Sequence, residues 1–135
     1  MQAKRLRHTA ARGDEAGRLA AAQAFVDFFA RETTAHFREE EELLFPLLRR
    51  YAESPPALLA QVLGEHMQLH GFARRLEAAL AAGIVDRDLL GEIGALLEAH
   101  IRLEERQLFR LIRELVPSDE LEALPLGDGA CPFRG

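Results

Sequence analysis

The sequence predicts an all-α protein, built as an up-and-down bundle of helices. Apolar residues recur at alternating steps of three and four along most of the chain, which is the spacing expected of helices that bury one face. The apolar–polar alternation typical of strands is missing. Short connections separate the periodic segments, so consecutive helices are expected to be antiparallel neighbours.

The first long helix is predicted from about Leu19 to Tyr51. Gly13 breaks the stretch that precedes it, and Ser54-Pro55-Pro56 marks a clear break after it. Pro46 is expected to kink the helix or to loosen its last turn. The inward-facing positions of this helix are predicted to be Leu19, Ala22, Val26, Phe29, Thr33, His36, Glu40, Leu43 and Leu47.

Two more helices are predicted after this break. The first runs from about Ala57 to Ala82, with Gly83 as its C-cap. Asp86 or Asp88 is expected to cap the last helix, which ends at Pro117. Their inward-facing positions are predicted to be Leu59, Leu63, His66, His70, Ala73, Leu76 and Leu80, and then Leu89, Ile93, Leu97, His100, Glu104, Leu108, Leu111 and Leu115.

The 135-residue chain is long enough for one domain with a sizeable core. We expect the bundle to span residues 1–117 and a C-terminal tail to span 118–135. The formal net charge is −5 and basic residues are not clustered, so nucleic acid is not an expected partner. No apolar stretch is long enough for a membrane span. Cys131 is the only cysteine, which excludes an intrachain disulfide and favours the cytoplasm.

Histidines and glutamates occupy neighbouring turns of three predicted helices. The pairs are His36 and Glu40, His66 and His70, and His100 and Glu104. A spacing of four residues stacks two side chains on one helical face. Antiparallel neighbours also align residues that are equidistant from the turn between them. With turns near residues 54 and 84, all six side chains fall in one layer, within about two residues or ~3 Å of axial rise.

A metal ion explains this layer better than ordinary core packing does. One histidine on an apolar face is usually a hydrogen-bonded core residue, but a buried carboxylate without a partner is costly. A cation would neutralise both carboxylates and give the imidazoles a partner. Helical phase favours Glu104 over Glu105 as a ligand. His8 lies some eighteen residues from the layer, on the order of 27 Å, and is left out of the site.

The remaining residues near the layer have simpler interpretations. Glu39, Glu41 and Glu42 are expected to form a solvated face beside Glu40. Met67 and the phenylalanines of the helix predicted from Leu19 to Tyr51 are expected to pack in the core. The tail cysteine is interpreted as a free thiol, because metal-ligating cysteines usually come in spaced sets.

The ligand types also restrict the metal. Imidazole and carboxylate without thiolate suit iron, manganese or zinc. Six ligands are too many for a closed tetrahedral zinc site. Two carboxylates can bridge a pair of ions, so a histidine-rich dinuclear iron centre is favoured over zinc or manganese.

These motifs resemble the hemerythrin-like (HHE cation-binding) family. The matching segments are His36-x3-Glu40, His66-x3-His70 after Glu65, and His100-x3-Glu104. The resemblance implies a four-helix bundle that holds two irons bridged by an oxo, hydroxo or water ligand. It further implies that His66, His70 and His100 bind one iron, that Glu40 and Glu104 bridge, and that His36 binds the second.

The chain departs from this family in its first helix, which is expected to be shortened and to lack the histidine that the family places there. If the helix is this short, part of the core is exposed, and a second copy of the chain could cover it as a homodimer. The ferritin-like di-iron proteins use Glu-x-x-His pairs. None of the four histidines has a glutamate three residues before it, which argues against that family.

The function expected from the resemblance is binding of dioxygen or a related small ligand at the irons. The alternatives are an iron-sensing or iron-handling protein and a di-iron oxidase or peroxidase-like enzyme. No separate general acid or nucleophile stands out in the sequence, so a binding protein is favoured over an enzyme. A metal-free helical interaction module is the remaining alternative.

Overall fold

A computed structural model describes residues 2–53 and 57–126, and every regular element within these ranges is helical. The break at Ser54-Pro55-Pro56 and the tail with Cys131 lie outside the described residues. The helices are α1 (Gln2–Arg12), α2 (residues 15–51), α3 (Ala57–Ala82), α4 (residues 87–115) and α5 (Ser118–Glu122).

The two helices α2 and α4 contain wider π-helical turns within a continuous helical backbone. In α2 the segments are Glu15–Phe28, a π turn at Phe29–Thr33, Thr34–Glu39, a π turn at Glu40–Leu44, and Phe45–Tyr51. In α4 they are Arg87–Leu103, a π turn at Glu104–Leu108, and Phe109–Leu115.

The first helix, α1, has eleven residues. It packs against α4 and α2 through Leu6, which is fully buried, and Ala10. On its outer side Arg7 pairs with Glu98 of α4, which also pairs with Arg102. The Arg7 guanidinium lowers the pKa of the Glu98 carboxyl below its usual value.

Helix α2 begins earlier than predicted because Asp14 caps it. The Asp14 side chain accepts a hydrogen bond from the Gly17 backbone N–H at 2.7 Å and so satisfies one of the free donors of the first turn. Pro46 lies near the start of the regular helical segment Phe45–Tyr51, which directly follows a π turn, and the kink or loosened last turn expected from it stays a prediction. The helix then continues to Tyr51.

The inward face of α2 differs in part from the predicted one. Phe25, Phe37 and Leu48 are buried, whereas the predicted Leu19 and Leu43 are only partly so. Each π turn bonds residue i to i+5 and adds one residue to the helix. The added residues shift the helical phase beyond each turn, as at Leu48, whereas Leu19 and Phe25 lie before the first π turn and are not affected by it.

Helices α3 and α4 begin and end largely as predicted. α3 covers Ala57–Ala82, and Gly83 ends it at φ +77°, with the N–H of Ile84 bonded to the carbonyl of Ala79 at 3.1 Å. Of the two candidate caps for α4, Asp86 takes the position, and its side chain accepts from the Asp88 N–H at 2.9 Å.

The end of α4 and the segment after it depart from the predicted pattern. Beyond the π turn, Ile112 is fully buried while Leu115 is 38 % exposed, so the predicted inward position of Leu115 is wrong. The helix ends before Pro117, but the short helix α5 follows, and its Leu121 is buried against the bundle. Residues 118–126 therefore pack on the helices that precede them.

Two apolar clusters form the core, one on each side of a buried polar layer. The first apolar cluster joins α1 to the first half of α2, the second half of α3 and the first half of α4. The second apolar cluster joins the opposite halves of these three helices to α5. Met67 was expected in the core but is 76 % exposed, because it lies on the outer face of α3.

The helices contact one another as neighbours in a bundle would. α1 packs on α2 and α4, α2 packs on α3, and α3 packs on α4. Within residues 2–53 and 57–126, no helix is sufficiently long and apolar for a membrane crossing.

Candidate metal centre

Four buried polar side chains meet between the two apolar clusters. Glu40 and Glu104 are each the first residue of a π turn, and His66 and His100 come from α3 and α4. All four are at most 4 % exposed. Each offers one ligand atom, and these atoms lie within 4.8 Å of one another. We call these four residues the inner cluster.

The two carboxylates divide their oxygens between opposite sides of the site. Glu40 places Oε2 at 3.5 Å from Nε2 of His36 and Oε1 at 3.1 Å from Nε2 of His66. Glu104 places Oε1 at 3.5 Å from Nε2 of His36. Its Oε2 lies 3.6 Å and 3.1 Å from Nε2 of His66 and of His100. Both carboxylates of the inner cluster thus also contact His36, which lies outside it.

Most of these close contacts are not aligned as hydrogen bonds. Both oxygens of Glu40, both nitrogens of His66, Nε2 of His100 and Oε2 of Glu104 are buried without a hydrogen-bond partner. Leaving such groups unsatisfied costs about 1–3 kcal/mol each. Nitrogen and oxygen atoms that converge without pointing at one another have the arrangement expected of ligands around a cation.

The separations also fit a cation. Ligand atoms held at about 2.1 Å from one ion, at right angles, lie about 3 Å apart. The nitrogen–oxygen distances from 3.1 to 3.6 Å within the site are close to this value. The residues of the inner cluster therefore fit a transition-metal ion without large rearrangement.

Comparison with known proteins agrees with this arrangement. The family model described as the hemerythrin HHE cation-binding domain matches residues 1–112. The chain belongs to this family. The search of curated proteins gave no match, and the search of solved structures gave none either.

Not every ligand expected of a hemerythrin HHE domain joins the inner cluster. His70 is partly buried and lies edge-on to Phe29 and Phe37, with ring centroids 5.1 and 5.9 Å away. Its role as a ligand stays a prediction. His8 is exposed on α1 and Glu105 is exposed on α4, in keeping with the choice of Glu104.

An aromatic ring shapes the hemerythrin-type site from within. Phe37 is 2 % exposed and stacks on His66, with centroids 3.7 Å apart and planes 11° from parallel. It also lies edge-on to His100 at 5.5 Å. The sequence suggested only core packing for this residue, whereas it lies against two imidazoles of the inner cluster.

Two outer carboxylates contact the imidazoles on their far sides. Nδ1 of His100 lies 2.8 Å from Oε1 of Glu65, and Nδ1 of His66 lies 3.3 Å from Oε2 of Glu41. Glu65 was assigned no role from the sequence, and Glu41, which is exposed as predicted, was expected only to be solvated. The only signal was their position, since each directly neighbours a predicted ligand in sequence.

The carboxylates and imidazoles alter one another's protonation. Burial disfavours the charged imidazolium, but contacts with Glu104 and Glu40 outweigh it and raise the pKa of His36 to about 10 and that of His66 to about 9. The pKa of His100 is also raised, against burial, chiefly by Glu104. Burial raises the pKa of Glu40. For Glu104 the three imidazoles together outweigh burial and lower the pKa.

Proposed function

We propose that this hemerythrin HHE domain holds two iron ions and binds dioxygen or a related small ligand, such as nitric oxide, at them. The observation that supports two separate iron positions is that each carboxylate directs its two oxygens to different histidines. Glu40 and Glu104 each direct one oxygen towards His36 and the other towards the histidines of the inner cluster. Carboxylates arranged in this way are suited to bridging two ions.

The residues would share the two positions unequally. His66 and His100 would hold one ion together with one oxygen of each carboxylate, and His70 is the further imidazole that the family resemblance implies. His36 would hold the other ion through the remaining two oxygens. Its side chain is 25 % exposed, against 2 % for His66 and His100. The ion at His36 would therefore have fewer protein ligands and lie nearer to solvent, where a small ligand can reach it.

The choice of iron follows from the donor atoms and from the proposed ligand. The site offers imidazole and carboxylate without thiolate, a set that suits iron, manganese and zinc. Iron, when bound, supplies the reversible electron transfer to dioxygen that zinc lacks. The protein contributes an apolar surround, in which Leu69, Leu97 and Leu103 are buried and keep bulk water away.

Metal content and the visible spectrum test this proposal together. Protein loaded anaerobically with Fe²⁺ should hold about two irons per chain and develop a visible absorption band in air that disappears with reductant. His36→Gln should lower the content towards one iron, whereas His8→Gln, on an exposed histidine, should leave it unchanged. Two bound irons with a flat spectrum in air would contradict dioxygen binding, and an unaltered content in His36→Gln would contradict the second position.

Iron sensing is a second candidate that one observation favours. Six buried polar atoms of the inner cluster have no hydrogen-bond partner, so a cation would stabilise the folded chain strongly and folding would report iron supply. A melting temperature that is the same with iron and with chelator would exclude this function.

A further inference from the structure

We infer that Glu65 is a positioning residue for the metal centre, which fixes the ring orientation and the proton of His100. The inference rests on the proposed metal site. Glu65 lies on α3, one residue before His66, but its carboxylate contacts the imidazole of the next helix, α4. It therefore acts on a ligand across the helix interface and not on its own neighbour.

The geometry distinguishes the two nitrogens of His100. Nδ1 faces Oε1 of Glu65 at 2.8 Å, which is a normal hydrogen-bond distance. Nε2 faces Oε2 of Glu104 at 3.1 Å and has no aligned hydrogen-bond partner. A carboxylate only accepts, so Nδ1 carries the proton that it donates to Glu65. When the imidazole is neutral, the lone pair of Nε2 is then the one available to a cation.

Glu65 is itself held in place. Its side chain is 16 % exposed, and its second oxygen, Oε2, accepts a long hydrogen bond from Nε2 of Gln61, one turn earlier, at 3.4 Å. His66 has no equally good support, because its contact with the more exposed Glu41 measures 3.3 Å and is not aligned as a hydrogen bond. Of the two outer carboxylates, Glu65 is therefore the one whose removal should matter more.

Two variants of Glu65 separate the effect of its hydrogen bond from that of its charge, and a third variant is the control. Glu65→Leu removes the acceptor, Glu65→Gln keeps a carbonyl acceptor without the charge, and Glu77→Leu alters an exposed glutamate of the same helix as a control. Loss of an outer partner typically weakens metal affinity by about 10- to 100-fold. We expect a loss of this size for Co²⁺ in Glu65→Leu, a smaller loss in Glu65→Gln, and none in Glu77→Leu.

A second measurement does not depend on metal binding. In the cation-free protein, nitrogen-15 NMR should show a protected, downfield Nδ1–H proton on His100, retained in Glu65→Gln and lost in Glu65→Leu. Should Glu65→Leu fail to fold, the wild-type and Glu65→Gln spectra still decide. An unprotected Nδ1–H in the wild-type protein would overturn the inference. So would a Glu65→Leu variant that keeps both the protected Nδ1–H and the full affinity for Co²⁺. If Co²⁺ does not bind at all while the proton is protected, the metal proposal fails and the hydrogen bond stands.

Discussion

At the scale of single residues, the metal centre depends on side chains that each make more than one contact. Glu104 is the clearest case, because its two oxygens approach His36, His66 and His100 within 3.6 Å. Glu105 is its neighbour in sequence but is exposed. The two glutamates therefore form a matched pair for mutation.

We predict that Glu104→Gln abolishes most cation binding while Glu105→Gln leaves it intact. The amide keeps the size of the carboxylate but loses its charge and one acceptor oxygen. The loss of affinity should exceed the roughly 10- to 100-fold typical of an outer partner. Calorimetric titration with Co²⁺ measures it. Equal affinities in the two variants would show that Glu104 is not a ligand.

We also predict that Phe37→Leu destabilises the cation-free protein by about 1–2 kcal/mol. The substitution removes the ring stacked on His66 and leaves space in the core. Phe28, on the same helix but 39 % exposed, provides the control, and Phe28→Leu should cost less than about 0.5 kcal/mol. Urea unfolding in chelator compares the free energies of unfolding. Equal values for both variants would contradict a structural role for the stack.

At the scale of elements, the π turns are what the sequence could not reveal. Helix α3 was predicted at Ala57–Ala82, where it is found, because a glycine cap and a steady apolar period mark it. The turns at Glu40–Leu44 and Glu104–Leu108 depend on i+5 backbone bonds that leave no mark in an apolar pattern. For the same reason Leu115, after the turn at Glu104–Leu108, was wrongly assigned to the inward face, where Ile112 is found instead.

The site was predictable to the extent that it depends on helical spacing. The layer of His36, Glu40, His66, His100 and Glu104 followed from four-residue steps and from the register of antiparallel neighbours. Contacts between helices that involve side chains outside the inward face could not be predicted in this way. The contact of Glu65 with α4 depends on how one helix is rotated against the next.

We predict that deleting Gln107 is tolerated by the fold but weakens cation binding. Gln107 is exposed within the π turn that begins at Glu104, and its loss lets this turn become α-helical without changing the phase of later residues. Deleting the exposed Ala95 from the regular part of α4 instead rotates all later residues by about 100°. Circular dichroism compares the melting temperatures of the two deletion variants, and titration with Co²⁺ compares their affinities for the cation. A melting temperature as low for the Gln107 deletion as for the Ala95 deletion would contradict this account.

At the scale of the whole molecule, the polar layer links stability to pH. The pKa values of His36 and His66 are raised to about 10 and about 9, from 6.5 in the unfolded chain. A raised pKa means that the folded state holds its protons more tightly. The resulting stability is present in full below pH 6.5 and is lost as the pH rises through about 9 to 10.

We therefore predict that the cation-free protein melts at progressively lower temperature between pH 6.5 and about 10. The loaded protein should not show this loss, because metal-bound imidazoles are already deprotonated. The gap between the two melting temperatures should widen with pH. His8→Gln should reproduce the wild-type curves, whereas a gap that narrows with pH would contradict the assignment.

The division of the core by this layer has a consequence for how the molecule opens. The first and second apolar clusters have no member in common, and α2, α3 and α4 pass from one to the other through the polar residues. Backbone amides in cooperative units exchange with solvent as groups. Without a cation, the amides around the second cluster should exchange separately from those around the first. A bound ion should merge both groups into one unfolding unit.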